Sequence, residues 1–144
     1  MQTFLPYKSF SESARALEYR RLGKMRVEAW QLLRAIQGIT KGWANHPAAT
    51  MYRGYEYALC RYGLAMCDEW ISRGYNDTMR SRFIAAMEDL EDTGMPPWLG
   101  DEQFHLSHQS NLVRKDPEYY GTLFPDVPSD LEYIWPTNEI VVVR

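Results

Sequence analysis

Apolar residues recur at every third or fourth position from Leu22 through Met25, Ala29, Leu32 and Leu33 to Ile36. They do so again from Met51 through Tyr55, Ala58, Leu59, Tyr62 and Met66 to Trp70. That period belongs to amphipathic helices, and two helices of such length need each other's apolar faces. The signals between them are helical too. Ser9 or Ser11 can cap a first helix, which runs through Tyr19 towards Ile36 with Gly23 as a kink or break. Gly38 ends it, and residues 38–47 form a loop in which Pro47 holds His46 extended. A helix from Ala48 to Arg73 stops at Gly74, and Asn76 or Asp77 caps a short one reaching Leu90. Asp101 caps Glu102–Lys115, and Asp116-Pro117 opens a last turn to Leu123. The expected class is therefore all-α: a compact single domain over residues 1–144 with about five helices. Residues 125–144 form an acidic, Pro-rich extension, and Ile140-Val-Val-Val143 reads as a short strand or packed tail.

Composition narrows the setting. At 144 residues the chain can bury its own core. No apolar run approaches the ~18–20 residues of a membrane span, and the N-terminus lacks the pattern of a signal peptide. Cys60 and Cys67 lie two helical turns apart, about 10 Å at ~1.5 Å per residue, too far for a disulfide. They read as buried thiols of a cytoplasmic protein. The net charge of −3 speaks against indiscriminate binding of nucleic acid, but the charge is unevenly spread. Residues 1–82 carry 13 Lys+Arg against 7 Asp+Glu, net +6, whereas residues 83–144 carry 3 against 12, net −9. Either the chain offers a basic face to an anionic partner, or its two halves attract each other.

The cations concentrate in Arg20, Arg21, Lys24 and Arg26, all within seven residues of the first long helix. On the helical wheel Arg21, Lys24, Glu28 and Gln31 form a polar stripe beside the apolar face. Two readings fit: a solvated face with Lys24 and Glu28 as an i, i+4 pair, or the wall of a polyanion site with Glu28 as its working carboxylate. Guanidinium groups suit phosphate, and Arg114-Lys115 is a second small patch. The run Phe104-His-Leu-Ser-His-Gln-Ser-Asn111 concentrates neutral donors and acceptors suited to phosphates or base edges. His105 and His108 with His46 or Asp101 could be imagined around zinc, but no metal-ligand pattern accompanies them and none is expected. An α-amine, with an ordinary pKa of ~7.7–8.0, is partly neutral near pH 7 and can attack an electrophilic sugar carbon.

Glu18-Tyr19-Arg20, Leu22, Arg26-Val27, the Met51–Tyr75 stretch ending Arg73-Gly74-Tyr75, and Pro117-Glu-Tyr-Tyr-Gly121 together resemble the pyrimidine-dimer DNA glycosylases, the endonuclease V-like base-excision enzymes. The resemblance runs over about residues 1–124. It is closest to a subgroup of small bacterial and phage proteins, through Arg20–Glu28, Asn45-His-Pro47, Pro96–Glu102, Phe104–His108 and Arg114–Tyr120. It implies an all-α protein, monomeric and without a cofactor, that binds duplex DNA and flips a nucleotide out of the stack. It then cleaves the glycosidic bond through the N-terminal amine with lyase action to follow, a glutamate assisting. The family's glutamate position is occupied here by Arg21, and Gln2 follows Met1 where the family has a small residue. On this chain the implied catalytic set is therefore Glu28 and the Met1 amine, with His46 and His108 lining the pocket. The implied DNA-binding set is Arg20, Arg21, Lys24, Arg26, His105, Arg114 and Lys115, with Tyr119 and Tyr120 stacking near the lesion. A non-catalytic DNA-binding module of the same fold and an enzyme acting on a free nucleotide are the competing readings.

Overall fold

The computed structural model describes residues 2–136, and the described residues form seven helices with no strand. They are α1 (Phe10–Ala16), α2 (Tyr19–Ile36), α3 (Pro47–Tyr52), α4 (Glu56–Ser72), α5 (Arg80–Glu88), α6 (Glu102–Lys115) and α7 (Pro117–Leu123). The all-α class expected from periodicity stands. The helix count differs because two long stretches are interrupted. The first break falls at Leu17 and Glu18, both extended, rather than at Gly23. Glu18 restarts the chain as the cap of α2, its carboxylate accepting from the amides of Arg20 and Arg21. Gly23 sits inside an unbroken α2, where a Cβ would lie 3.0 Å from the Trp70 ring. The second break is Gly54, whose φ of +91° separates α3 from α4. Residues 140–143 lie outside the described residues.

The core is the packing of α2 on α4, with α1 and α5 also against α4 and α7 against α6. Leu22, Met25, Ala29, Leu32 and Leu33 of α2 are buried, as are Leu59, Tyr62 and Met66 of α4. Cys60 and Cys67 are free and buried, and burial pushes both thiols up to about 12. The approach of α5 to α4 depends on Gly63, where a Cβ would stand 2.3 Å from the Phe83 ring. Phe83 cannot retreat, because it is fully buried and the Trp30 ring meets it edge-on at 5.5 Å. Gly63→Ala is expected to lower stability by about 2 kcal/mol, the cost of overpacking a filled core. Urea unfolding would measure it; an unchanged midpoint would mean that α5 docks more loosely than this.

Two extended segments complete the architecture, and both are held by α6. Buried backbone outside helix or sheet still needs hydrogen-bond partners, and here side chains supply them. Residues 2–6 are buried. His108 Nδ1 accepts from the Leu5 amide at 2.9 Å. His105 Nε2 accepts from the Gly100 amide, so the His105 proton is on Nδ1, which donates to the Leu5 carbonyl at 2.8 Å. Gln109 donates to the Pro6 carbonyl, and Tyr62 of α4 to that of Phe4. A second stripe of α6, spaced i, i+3, i+4 and i+7, holds the C-terminal segment. Ser110 and Ser107 accept from the amides of Leu131 and Ile134, Asn111 donates to the Leu131 carbonyl, and Arg114 donates to that of Ser129.

Candidate active site

The two segments meet over the polar stripe of α2. Glu28 Oε1 accepts from the Gln2 amide at 2.8 Å, which ties the start of the described chain to the middle of α2. Glu28 and Lys24 together form a ridge between two cavities. One, about 560 Å³, is mostly apolar and runs along Tyr19, Gly23, Val27, Trp43 and Trp70, with Arg20 and Gln31 at its edge. The other, about 260 Å³, is lined by Gln2, Phe4, Arg21, Met25, Lys115, Tyr133 and Trp135. One carboxylate thus faces two concave spaces, with exposed cations around both.

The four cations of the basic cluster have different fates. Arg20 and Lys24 are exposed at the cavities, Arg20 Nε donating to the Tyr19 hydroxyl at 3.2 Å. Arg21 also lines the smaller cavity but pairs with the Glu18 carboxylate at 3.0 Å. Arg26 is turned inward. It pairs with the buried Asp77, and its guanidinium lies 4.4 Å over the Trp70 ring. Burial would raise the Asp77 carboxyl, but the amides of Arg80 and Met79 and the Arg26 guanidinium outweigh it and hold the carboxyl below its usual range. Arg26 therefore props up the wall of the larger cavity and is spent as a phosphate ligand. The i, i+4 pairing of Lys24 with Glu28 is absent from the ion pairs among the described residues. Glu18, the other carboxylate flanking the cluster, is used up by the α2 amides, by Arg21 and by the Tyr120 hydroxyl at 3.0 Å.

The histidines divide in the same way. His46 stays at the site. Its Nδ1 accepts from the Ala48 amide at 3.0 Å and caps α3, while its ring lies edge-on between Trp43 at 5.4 Å and Trp135 at 5.5 Å. Burial lowers its pKa from the ordinary 6.5, against the pull of the Glu28 carboxylate, so the ring is neutral at pH 7. His105 and His108 are not pocket-lining groups, since both are buried with Nδ1 bonded to the Leu5 backbone. Burial lowers the pKa of both, that of His108 to about 3. Among the described residues no three His, Cys, Asp or Glu side chains are grouped so that they could hold a metal. The donors of α6 were expected to face phosphates or bases; they face backbone instead.

Of the remaining candidates, Lys115 is exposed and lines the smaller cavity, whereas Arg114 is bonded to the C-terminal segment. Tyr120 is fully buried beneath Glu18, and burial raises its phenol. Tyr119 is exposed and packs on Tyr120 at 4.8 Å. Met1 lies outside the described residues. The aromatic walls, Tyr19, Trp43, Trp70, Tyr133 and Trp135, were not among the expected site residues; the 14% aromatic content was their one signal in the sequence.

Comparison with known proteins adds one positive finding. A family model described as pyrimidine dimer DNA glycosylase matches residues 1–82. No curated protein and no solved structure matches the chain. Among the described residues no helix is long and apolar enough to cross a membrane. The matched stretch is more than half of the sequence, runs from the N-terminal segment into the first turn of α5, and contains Glu28 with the whole cationic stripe, so the chain belongs to the pyrimidine dimer DNA glycosylase family.

Proposed function

We propose that this protein excises a damaged or modified base from duplex DNA, with Glu28 as the acid/base group and the α-amine of Met1 as the nucleophile. The observation that carries the reading is the bond from the Gln2 amide to Glu28. That amide belongs to the peptide bond between Gln2 and Met1, so Glu28 is bonded one residue from the position that bears the amine. Arg20, Lys24 and Lys115 would take phosphates around the mouth of the site. The reacting nucleotide would enter the smaller cavity, where Gln2 and Glu28 are, and a neighbouring nucleotide would rest on the aromatic groove beside Trp43 and Trp70. In chemical terms, the neutral amine forms a bond to C1′ as the bond from C1′ to the base breaks, and the base leaves with a proton. Opening of the sugar gives an iminium, from which loss of a C2′ proton drives β-elimination of the 3′ phosphate. In this reading Glu28 takes and returns those protons.

Borohydride reduction tests the proposal directly. Incubation with a lesion-bearing or abasic duplex should trap a covalent protein–DNA adduct, and prior methylation of the α-amine should abolish it. An adduct that survives blocking of the amine would move the nucleophile to a lysine. Absence of any adduct across a panel of lesions, together with absence of base release, would remove the enzymatic reading.

A further inference from the structure

Gln2 lines the smaller cavity with a polar group left over. The residue is only 7% exposed, and its other polar atoms near the site are committed. Its backbone amide donates to Glu28 Oε1 at 2.8 Å. Its side-chain Oε1 accepts from the Thr3 amide, also at 2.8 Å. A backbone N–H can only donate, so this bond fixes which end of the carboxamide is oxygen. Nε2 is the other end, and it is buried without a hydrogen-bond partner. Burial pushes the Tyr133 phenol up and Gln2 pulls it down less strongly, which puts that hydroxyl beside the carboxamide. It gives Nε2 no bond of proper geometry. A buried donor with nothing to donate to costs stability, and native chains keep few of them. This one belongs to a space lined also by Phe4, Met25 and Trp135, one residue from the position that bears the amine.

We propose that the Gln2 carboxamide holds the departing pyrimidine, with Nε2–H donating to the carbonyl oxygen next to the glycosidic nitrogen. The proposal rests on the base-excision reading above. As the amine nitrogen bonds to C1′, the bond from C1′ to N1 of the base breaks and its electron pair goes to the base. The charge is shared between N1 and O2 until a proton carried by Glu28 ends on the base. In a cyclobutane dimer C5 and C6 are saturated, so conjugation from N1 reaches O2 and not O4. A donor at O2 therefore meets charge where it develops, and between apolar walls it is worth more than in water. With Oε1 committed to Thr3, the group can only donate. Every pyrimidine has O2 beside its glycosidic nitrogen, whereas a purine has no carbonyl beside its own.

The test uses two full-length variants, Gln2→Glu and Gln2→Met. Glu keeps an oxygen for the Thr3 amide and loses the donor; Met keeps approximate length and loses both. Each is compared with wild type on a duplex carrying a cyclobutane thymine dimer and on the same duplex carrying a ready-made abasic site. The abasic sugar has no base to release, so a donor to the base has nothing to do there. Base release in a single turnover should fall by about 10²-fold in both variants, the usual worth of a donor at developing charge. Borohydride trapping on the abasic duplex and Kd for the dimer duplex should be unchanged. Equal losses in base release and in trapping would make Gln2 a positioning group for the amine and overturn the proposal, as would unchanged base release. A loss in one variant alone would trace to the added charge of Glu or to the broken Thr3 tie in Met, and overturns it too. Wild type that leaves the dimer intact but forms the abasic adduct overturns the role in pyrimidine release and leaves the amine chemistry standing. Neither base release nor an adduct, here or on the wider panel of lesions, removes base excision itself and this proposal with it.

Discussion

Glu28→Gln should lower kcat for base release by at least about 10²-fold, the usual worth of a positioned proton-transfer group, while Kd for the lesion duplex changes less than twofold. Gln is the informative replacement. Its amide oxygen can still accept from the Gln2 amide, so the tie seen at 2.8 Å is preserved. Only the charge and the ability to carry a proton are lost. Single-turnover kinetics on a lesion duplex separates the two quantities. An unchanged kcat would leave Glu28 as a positioning group for the N-terminal segment and transfer the acid/base role elsewhere. A large rise in Kd with kcat preserved would mean that the carboxylate organises the cavity rather than the chemistry.

The second large effect concerns stability. His108→Leu keeps approximate bulk but removes the acceptor for the Leu5 amide. A buried N–H without a partner costs about 1–3 kcal/mol, and imperfect repacking among Phe4, Phe104 and Tyr133 adds to it. A loss of about 3 kcal/mol at pH 7 is expected. The pH dependence makes the test specific. The folded ring titrates at about 3, well below the ordinary 6.5, so on acidification the unfolded chain takes up this proton first. The contribution is complete above about 6.5 and is lost as pH falls towards 3, at up to ~1.4 kcal/mol per unit. The Leu variant has no such proton to take up. Its deficit against wild type should therefore shrink between pH 6.5 and pH 4 in urea unfolding. A constant deficit over that range would mean that the ring is not held neutral in the fold.

Local chemistry made some elements readable in advance. Asp101 before Glu102 and Asp116-Pro117 after Lys115 bound α6 at both ends, because a cap and an N1 proline act within one turn. The buried face of α2 followed its apolar spacing. What escaped were matters decided by distant partners. Gly23 reads as a break until Trp70 is known to lie against it. Arg26 reads as a phosphate ligand until Asp77, 51 residues away, is seen to take it. The histidines of α6 belong to the same class of error. A donor suited to phosphate is equally suited to a carbonyl, and the sequence does not say that Leu5, about a hundred residues earlier, will be the one presented. That Glu28 rather than Glu18 would line the cavities was legible, since it followed from the face shared with Lys24.

The dependence of the first segment on α6 has a consequence for synthesis. Residues 2–6 leave the ribosome at the start of translation, but the imidazoles that hold Leu5 and the serines that hold Leu131 and Ile134 are made some hundred residues later. A nascent chain carrying only α1 to α5 contains every residue of the cationic stripe yet holds its own beginning only through Glu28 and Tyr62, without the imidazoles that fix Leu5. The cleft is thus assembled at the end of translation, and a chain released early would present the basic helix without a finished cavity beside it.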